Sequence, residues 1–530
     1  YRIGSSVEFD WCSVNTVNTC KKLGYHTMML NYNPETVSTD YDVVDSLLFE
    51  EITAEVVVDL WETGMIEGVI VSMGGQESNN IAHELHSAGV NILGTDATMI
   101  DAAENRSKFS ELLNSIRVDQ PAWKELTSTA DAVKFCNEVS YPCLIRPSYV
   151  LSGAGMNVAF NDDELTTYLR GASQVSGDYP VVISKFIIDA KEIEVDAVAC
   201  NGKIVAMAIS EHIENAGVHS GDASLVCPSQ DLTDVTIGRI YNSARKIAEA
   251  LHINGPFNIQ FIAKDDKTKV IECNLRSSRS FPFVSKIYGI NMIDIATRVI
   301  LGHYVHTEPE GGQMGTRPGL WDKPLSPISA SLIGVKVPQF SFKRLPGADC
   351  VLGVEMKSTG EVACFSDKRE IAYIKALVSA GYALPKSGSN ILISVGGLHY
   401  KLELAEHIAR LSEYCNIYAT QGTADYYNIP DERTVPWDSL NEFWQTVSAD
   451  FVINISMLDR ITLPPEERSM GYQLRMQAIK NDIPLLTDVK AAKIFISGLI
   501  ESFNNPDILQ IGSYDVREMR AHFDDQLFVD

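Results

Sequence analysis

The stretch Val270-Ile271-Glu272-Cys273-Asn274-Leu275-Arg276 follows a short turn after Gln260-Phe261. It predicts a β-strand that returns alongside a strand carrying Gln260. Because side chains alternate along a strand, Glu272, Asn274 and Arg276 point to one face. A carboxylate, an amide and a guanidinium in one row suit Mg²⁺ bound to a nucleotide, since Mg²⁺ takes one or two carboxylates and leaves its other positions to phosphate and water. The alternative is a solvated edge strand with charges placed by chance.

Composition excludes several classes of function. Of the 530 residues, 45% are hydrophobic and 21% are charged, which is ordinary for a globular protein of roughly three domains. There is no apolar run of about 18 residues and no N-terminal signal pattern, so we expect no membrane partner and a cytoplasmic location. A net charge of −25 argues against nucleic-acid binding. The ten scattered cysteines predict reduced thiols, not a zinc site or disulfides.

Strands alternating with helices predict an α/β fold. In the first part, residues 1–105, the predicted strands are His26–Asn31, Gly68–Ser72 and Val90–Leu93. The turn Gly74-Gly75-Gln76 follows the second of these strands, where ligands of parallel sheets bind. Because the chain opens at Tyr1 without a methionine, we expect it to be a segment of a longer protein.

Four further parts follow along the chain. Residues 106–305 form a second domain, in which a glycine-bearing hairpin at Leu151–Met156 can close its N–H groups over phosphates. Residues 306–385, rich in Pro and Gly at their start, form a connecting segment. Residues 386–505 again alternate strands and helices, and residues 506–530 form an acidic tail or linker.

Several long motifs in order resemble one family, the C-terminal synthetase half of large carbamoyl-phosphate synthetases, which are ATP-grasp enzymes. The motifs that carry the resemblance are Tyr1–Asp10, Asn33–Asp40, Arg146–Gly153, Glu211–Asp222, Glu272–Arg276 and Thr420–Asp425. The phrases Val335–Phe342 and Leu352–Met356 are similar to the eukaryotic form within the multifunctional pyrimidine-synthesis polyprotein. The resemblance implies a pre-ATP-grasp domain, an ATP-grasp domain and a methylglyoxal-synthase-like allosteric domain.

The activity implied by the resemblance is phosphorylation of carbamate by MgATP, giving carbamoyl phosphate and ADP. Mg²⁺ or Mn²⁺ is the implied metal, and K⁺ is a further candidate cofactor. The chain holds one ATP-grasp unit and no Gly-x-Cys-x-Gly nucleophile elbow. We therefore expect an N-terminal synthetase half and a glutaminase as partners, within an oligomeric full protein.

The resemblance also assigns roles to individual residues. It implies that Gln260, Glu272 and Asn274 hold the metal. Arg276 is expected to face the transferring phosphoryl group or the carbamate, and Arg146 to bind a phosphate, so that Arg276, Arg146 and Asn274 are the candidate catalytic residues. The implied nucleotide contacts, besides Gln260, Glu272 and Arg146, are Arg106, Lys185, Glu192 and His219. Glu194 competes with Glu192 because both share a strand face, and His212 has an equal claim to a purely structural role. Carbamate carries its own oxyanion, so His219 is expected to be a neutral hydrogen-bonding partner and no general base is needed.

An effector site is implied in the last domain. The positions that match are Lys386, Thr420, Thr423, Trp437 and Asn454, with Trp437 equally well explained as a packing residue. Thr420-Gln421-Gly422-Thr423 follows a predicted strand, where hydroxyl and N–H groups hold phosphate at the start of a helix. The pyrimidine-type resemblance implies UTP or phosphoribosyl pyrophosphate as the effector.

Three alternatives stay open at this point. One is the urea-cycle relative, which is controlled by N-acetylglutamate. The second is a biotin-carboxylase-like or purine-synthesis ATP-grasp ligase, against which the third α/β domain weighs. The last is a non-catalytic half that binds only nucleotide and effector; the presence of Gln260, Glu272, Asn274 and Arg276 argues against it.

Overall fold

The computed structural model describes residues 7–147, 156–176, 181–304, 332–342, 350–436, 440–457 and 470–509. Within these ranges the strands form sheets of two, seven, five and four strands. Helices and strands intermix along the chain, so the α/β class predicted from the sequence is confirmed. Most of the predicted phosphate-closing hairpin at 151–156 and the whole of Trp437 lie outside the described residues.

The first unit has little strand pairing. Its elements are α1 (Val7–Lys22), β1 (Met28–Leu30), β2 (Ser46–Leu48), α2 (Ala54–Glu62), α3 (Gln76–Asn80), α4 (Ala82–Ser87) and α5 (Ala97–Glu104). β1 and β2 pair in parallel, as predicted for this part of the chain. Val69 and Ile92 form a single parallel bridge, so the strands predicted at 68–72 and 90–93 are reduced to one paired residue each.

A four-stranded antiparallel sheet comes next. The elements of this region are α6 (Arg106–Ser115), β3 (Trp123–Leu126), α7 (Thr129–Val139), β4 (Cys143–Pro147), β5 (Asn157–Ala159), α8 (Asp162–Ser176) and β6 (Val181–Lys185). The strand order is β3-β6-β4-β5. Leu126, Phe135, Ile145 and Ile183 are among the residues of its own small hydrophobic core.

The central sheet has seven antiparallel strands in the order β11-β10-β7-β8-β9-β12-β13. Its strands and the helices around them are β7 (Lys191–Cys200), β8 (Lys203–Asn215), β9 (Leu225–Cys227), α9 (Asp234–Ala250), β10 (Gly255–Lys264), β11 (Lys267–Asn274), α10 (Phe281–Tyr288), α11 (Met292–Ile300), β12 (Ile333–Gln339), β13 (Gly360–Ser366) and α12 (Arg369–Ser379). β12 and β13 belong to the predicted connecting segment, so this segment supplies two strands of the sheet.

The two faces of the central sheet differ in polarity. On β7, Ile193 and Val195 join the core that includes residues of α9. The alternate side chains of Glu192, Glu194 and Asp196 point to the opposite face. Further along that face the sheet becomes apolar and packs against α1, α10 and α11. Carboxylates therefore lie on a sheet face that is otherwise covered by helices.

The last unit is a parallel sheet in the order β16-β15-β14-β17-β18. Its elements are β14 (Asn390–Val395), α13 (Leu398–Leu411), β15 (Asn416–Thr420), α14 (Gln421–Tyr427), β16 (Thr434–Val435), α15 (Leu440–Thr446), β17 (Phe451–Ile455), α16 (Met470–Lys480), β18 (Leu485–Leu486) and α17 (Val489–Asn504).

One hydrophobic core joins this unit to the central sheet. It contains Val335 of β12 and Tyr373 of α12 together with Ile391, Phe451 and Phe495 of the last unit. Neither unit therefore covers its apolar residues alone. None of the described helices combines the length and hydropathy needed to cross a bilayer.

The contact between α12 and α17 depends on a glycine. A Cβ added at Gly498 of α17 would lie 2.6 Å from the backbone oxygen of Glu370. We expect Gly498→Ala to lower the free energy of unfolding by about 1–3 kcal/mol through overpacking, measured by chemical denaturation. Gly238→Ala in α9 is the matched control, because a Cβ there meets nothing within 4 Å and alanine favours the helix. Equal stability of the two variants would contradict this close helix contact.

Candidate functional site

The β10–β11 hairpin forms the floor of the candidate site, as predicted. Gln260 of β10 lies opposite Glu272 of β11 on one side and opposite Glu194 of β7 on the other. The next row along this face joins Asn274, Asn258 and Asp196 in the same way, and both rows consist of polar side chains. Directly opposite residues of antiparallel strands share a face, so the side chains of these rows lie together.

Glu272 lies at the outer end of the first row, on the edge strand β11. Its Oε1 accepts a hydrogen bond of 3.2 Å from the Nδ2 of Asn274, and its Oε2 lies 3.6 Å from the Nη1 of Arg146. Burial by itself would raise the pKa of Glu272, but Arg146, Asn274 and Arg276 together hold it below its ordinary value. The carboxylate is therefore ionised at neutral pH.

Arg106 and Arg146 give this end of the site a strong positive charge. The Nη1 of Arg106 donates to the backbone oxygen of Ile271 at 2.6 Å, and the guanidinium lies 5.4 Å from the ring centre of Trp123. Burial, and then the neighbouring Arg146, lower the pKa of Arg106 to about 10, so it stays protonated at neutral pH. Planar guanidinium groups are suited to binding phosphate oxygens.

Arg276 lies two residues beyond the end of β11 and closes the same group. Its Nη2 donates to the Oδ1 of Asn274 at 3.3 Å. We call Arg106, Arg146, Gln260, Glu272, Asn274 and Arg276 the Glu272 cluster. Among the described residues no set of three or more His, Cys, Asp or Glu converges as a metal site. One ionised carboxylate with two amide oxygens nevertheless fits Mg²⁺ that also binds phosphates.

Two family models match the chain. The carbamoyl phosphate synthase preATP-grasp domain matches residues 1–102, and the ATP binding domain of the carbamoyl-phosphate synthase L chain matches residues 105–307. The chain belongs to the carbamoyl-phosphate synthase family.

The relatives are much longer than the chain itself. Multifunctional protein pyr1-3 of Dictyostelium discoideum is 52% identical over 94% of this chain, which spans 22% of that protein. The mitochondrial carbamoyl-phosphate synthase (ammonia) of Homo sapiens is 42% identical over 95% of this chain, which spans 33% of that protein. This chain thus corresponds to one part of these larger proteins.

A solved structure has a similar fold over most of the chain. The biotin carboxylase domain of the Hydrogenobacter thermophilus 2-oxoglutarate carboxylase, in complex with MgADP, ADP and bicarbonate, has a TM-score of 0.54. It is 18% identical in sequence, and the match covers 70% of this chain and 88% of that chain. The pre-ATP-grasp and ATP-grasp folds predicted from the sequence are confirmed.

Glu192 and Glu194, the two alternatives for a nucleotide contact, have different surroundings in the structure. Glu194 is 5% exposed, and its oxygens contact the Nε2 of His212 and the Oγ of Ser280, both at 3.2 Å. Burial opposes ionisation of Glu194, yet the hydrogen bond and charge of His212 lower its pKa. Glu192 is less buried, and burial raises its pKa. Glu192 thus remains the better candidate for a nucleotide contact, whereas His212 is fully buried and has a structural partner.

His219 and Lys185 have different surroundings. The Nδ1 of His219 accepts the N–H of Gly221 at 3.0 Å, and burial lowers the pKa of His219, which favours the neutral form. Charge interactions with Glu272 place His219 near the Glu272 cluster. The Nζ of Lys185 instead donates to the backbone oxygens of Ser140 and Tyr141, at 2.9 and 3.1 Å. The structure therefore ties Lys185 to the four-stranded sheet.

Two residues at the site were missed in the sequence. The Oε1 of Gln76 accepts from the Nε of Arg276 at 2.8 Å, so the first unit closes over the Glu272 cluster. The Gly74-Gly75-Gln76 turn was the signal for it. Arg279 lies 3.1 Å from Glu361 of β13, which also pairs with Lys336 at 3.0 Å. No local pattern in the sequence links Arg279 to a carboxylate on a distant strand.

In the last unit, several polar groups lie together at the carboxyl edge of the parallel sheet. The Oγ1 of Thr420 donates to the Oγ of Ser394 at 3.1 Å, and the backbone N–H of Val395 donates to the Oγ1 of Thr423 at 2.9 Å. On β17, the Oδ1 of Asn454 accepts from the Nη1 of Arg475 at 2.8 Å. We call this group the carboxyl-edge cluster.

Lys401 joins the carboxyl-edge cluster, whereas Lys386 does not. The Nζ of Lys401 donates to the backbone oxygen of Gly422. Lys386 precedes β14, and its N–H donates to Ser389 at the amino-terminal edge of the parallel sheet. At about 3.3 Å per residue, a strand of this length separates the two edges by roughly 16 Å. The sequence missed Lys401, and also Arg475, which is 3% exposed.

A cavity of about 260 Å³ lies between the central sheet and the last unit of the synthase. Glu214 of β8 and Asp488, the residue that caps the start of α17, both line it; Glu214 is buried and Asp488 is half-buried. Glu214 accepts hydrogen bonds from the N–H and hydroxyl of Ser224, at 2.7 and 3.0 Å. Burial, and then the charge of Asp488, raise the pKa of Glu214 to about 7.

The raised pKa predicts how stability depends on pH. Because Glu214 binds its proton more tightly in the folded protein, its contribution to stability falls as pH rises from about 4.5 to 7. Glu214→Gln removes this loss, so the melting temperature of the variant relative to the unsubstituted chain should improve between pH 5 and pH 8 by about 2 °C or more. Glu249→Gln, at an exposed position of α9, is the control. A difference that is constant over this range would contradict the prediction.

Proposed function

We propose that this chain phosphorylates carbamate with MgATP, giving carbamoyl phosphate and ADP, as the C-terminal synthetase half of an enzyme of pyrimidine synthesis. The observation that carries the proposal is the ionised Glu272 among the guanidinium groups of Arg106, Arg146 and Arg276. Phosphoryl transfer depends mainly on positioning and on neutralising charge. A half-buried, ionised carboxylate among arginines is an arrangement for that purpose.

Each member of the site has a separate task in this proposal. Mg²⁺, when bound, would neutralise the charge of the phosphate oxygens. Glu272 would hold this ion with its carboxylate, and Gln260 and Asn274 would add their amide oxygens. Arg146 and Arg106 bind phosphate oxygens, and Arg276 faces the transferred group and the carbamate. Mn²⁺ would suit the same oxygen ligands, and K⁺ is a further proposed cofactor.

The nucleotide itself is bound by the neighbouring strands. We place the ribose hydroxyls at Glu192 and the adenine near Lys185 at the end of β6. Neutral His219 lines the phosphate region and supplies a hydrogen bond. The oxyanion of carbamate attacks the γ-phosphorus directly, so no side chain has to remove a proton.

Comparison among relatives favours the pyrimidine type over the urea-cycle type. Identity is 52% with the Dictyostelium discoideum multifunctional protein and 42% with the human mitochondrial ammonia-dependent synthase. We propose a cytoplasmic, oligomeric full protein in which an N-terminal synthetase half and a glutaminase supply the carbamate. The greater length of the relatives is consistent with these further parts.

The reverse reaction tests the proposal on this chain alone. Incubated with carbamoyl phosphate and MgADP, the chain should form ATP, detected by a luminescence assay. Glu272→Gln should lower the rate by about 100-fold or more, because the charge that holds the metal is lost. Glu249→Gln, which removes an exposed carboxylate, should keep the full rate. Folded protein that makes no ATP would refute the proposed activity, and an active Glu272→Gln variant would refute the metal assignment.

We also propose that the carboxyl-edge cluster binds the phosphate of an allosteric effector, UTP or phosphoribosyl pyrophosphate, within a methylglyoxal-synthase-like domain. Thr420, Thr423 and Asn454 supply polar groups at a strand-to-helix edge, and Lys401 and Arg475 supply positive charge. Anions bind well where N–H groups begin a helix. Trp437 remains a proposed wall of this site.

Thermal stability in the presence of effectors tests this second site. UTP should raise the melting temperature, since a ligand that binds only the folded state stabilises it. Lys401→Ala should reduce that shift by about half or more, whereas Lys386→Ala, the same change at the opposite edge, should leave it intact. Loss of the shift in Lys386→Ala alone would reverse the assignment. Stabilisation by N-acetylglutamate and not by UTP would favour the urea-cycle alternative.

A further inference from the structure

The segment Arg276-Ser277-Ser278-Arg279-Ser280 connects β11 to α10 and consists of two arginines and three serines. Both arginines lie at the candidate site. Arg276 contacts Asn274 and Gln76, and a Cβ on Gly221 would lie 2.7 Å from Arg279 and 3.3 Å from the Nδ1 of His219. The site therefore depends on the position of this short connection, which contains no strand residue.

The serines of the segment are held from two directions. On the side of the first unit, the N–H of Ser277 donates to the backbone oxygen of Ser72 at 2.8 Å. On the side of the central sheet, the hydroxyls of Ser278 and Ser280 donate to the Oδ1 and Oδ2 of Asp196, at 2.5 and 2.6 Å. Each oxygen of one carboxylate thus holds a different serine.

Asp196 is a buried carboxylate whose position is explained by its hydrogen-bond donors. It is fully buried on β7, and burial together with the neighbouring Glu194 raises its pKa to about 6. Asn258 donates a third hydrogen bond to its Oδ1, at 2.9 Å. A buried carboxylate is costly unless donors surround it, and here two of the three donors come from the arginine-bearing segment.

We propose that Asp196 is a positioning residue, which through Ser278 and Ser280 fixes Arg276 and Arg279 at the reacting end of the site. This role rests on the proposed function, because Arg276 is taken to face the transferred phosphoryl group. The Oγ of Ser280 also lies 3.2 Å from the Oε2 of Glu194, so both carboxylates of β7 contact the same turn. The sheet floor and the arginines are in this way built as one unit.

The double variant Ser278→Ala/Ser280→Ala removes both hydroxyls and keeps Asp196, so it tests these two hydrogen bonds directly. Ser285→Ala is the matched control, because its hydroxyl is buried in α10 and accepts the N–H of Met292 at 3.3 Å. Both proteins are compared with the unsubstituted 530-residue chain.

Hydrogen exchange tests whether Ser278 and Ser280 hold the connecting segment, and it requires no catalytic activity. In the double variant, a peptide covering residues 275–281 should exchange at least about 10-fold faster than in the unsubstituted chain, because its hold on the sheet is lost. Ser285→Ala should leave that peptide unchanged. Equal exchange in the double variant and the unsubstituted chain would overturn the proposal.

Kinetics of ATP formation from carbamoyl phosphate and MgADP test the positioning role. The kcat of the double variant should fall at least about 10-fold, since small displacements of reacting groups are costly. The KM for MgADP should stay within about 2-fold, because the nucleotide-contacting strands are untouched. Faster exchange with an unchanged kcat would overturn the positioning role. If the unsubstituted chain forms no ATP, the proposed function fails. Hydrogen exchange alone then decides whether Asp196 holds the segment through Ser278 and Ser280.

Discussion

Burial of carboxylates on one face of the central sheet is the constraint on which this structure depends. An ionised carboxylate away from water is stable only when hydrogen-bond donors or positive charges surround it. Each buried carboxylate here has its own set: Glu194 has His212 and Ser280, and Glu361 has Lys336 and Arg279. These partners come from other strands and connections, so satisfying the charges also assembles the site.

The same requirement explains why the first unit and the sheet form one site. Gln76 reaches the guanidinium of Arg276, and Ser277 bonds to the backbone of Ser72. The connection after β11 is therefore held between two units. Its arginines gain a fixed position from contacts that are themselves hydrogen bonds to charged groups, which are stronger than neutral ones.

The last unit is joined to the central sheet by a shared hydrophobic core. Tyr373 and Val335 share a core with Ile391, and Glu214 and Asp488 line one cavity between the units. Movement of the parallel sheet would therefore disturb a packed core and the surroundings of Glu214 together. Glu214 lies on β8, the strand whose His212 bonds to Glu194.

The sequence by itself determined the α/β class, the β10–β11 hairpin and the common face of Glu272 and Asn274, because strand alternation and turn residues act locally. It located the glycine turn that carries Gln76 but did not identify Gln76 as a site residue. Only the tertiary structure decided that Lys401, not Lys386, lies with Thr420, and that Arg279 meets Glu361. It also decided that Glu194 is occupied by His212 while Glu192 is less buried. These pairings join distant residues, and they depend on strand order and packing, which no local pattern encodes.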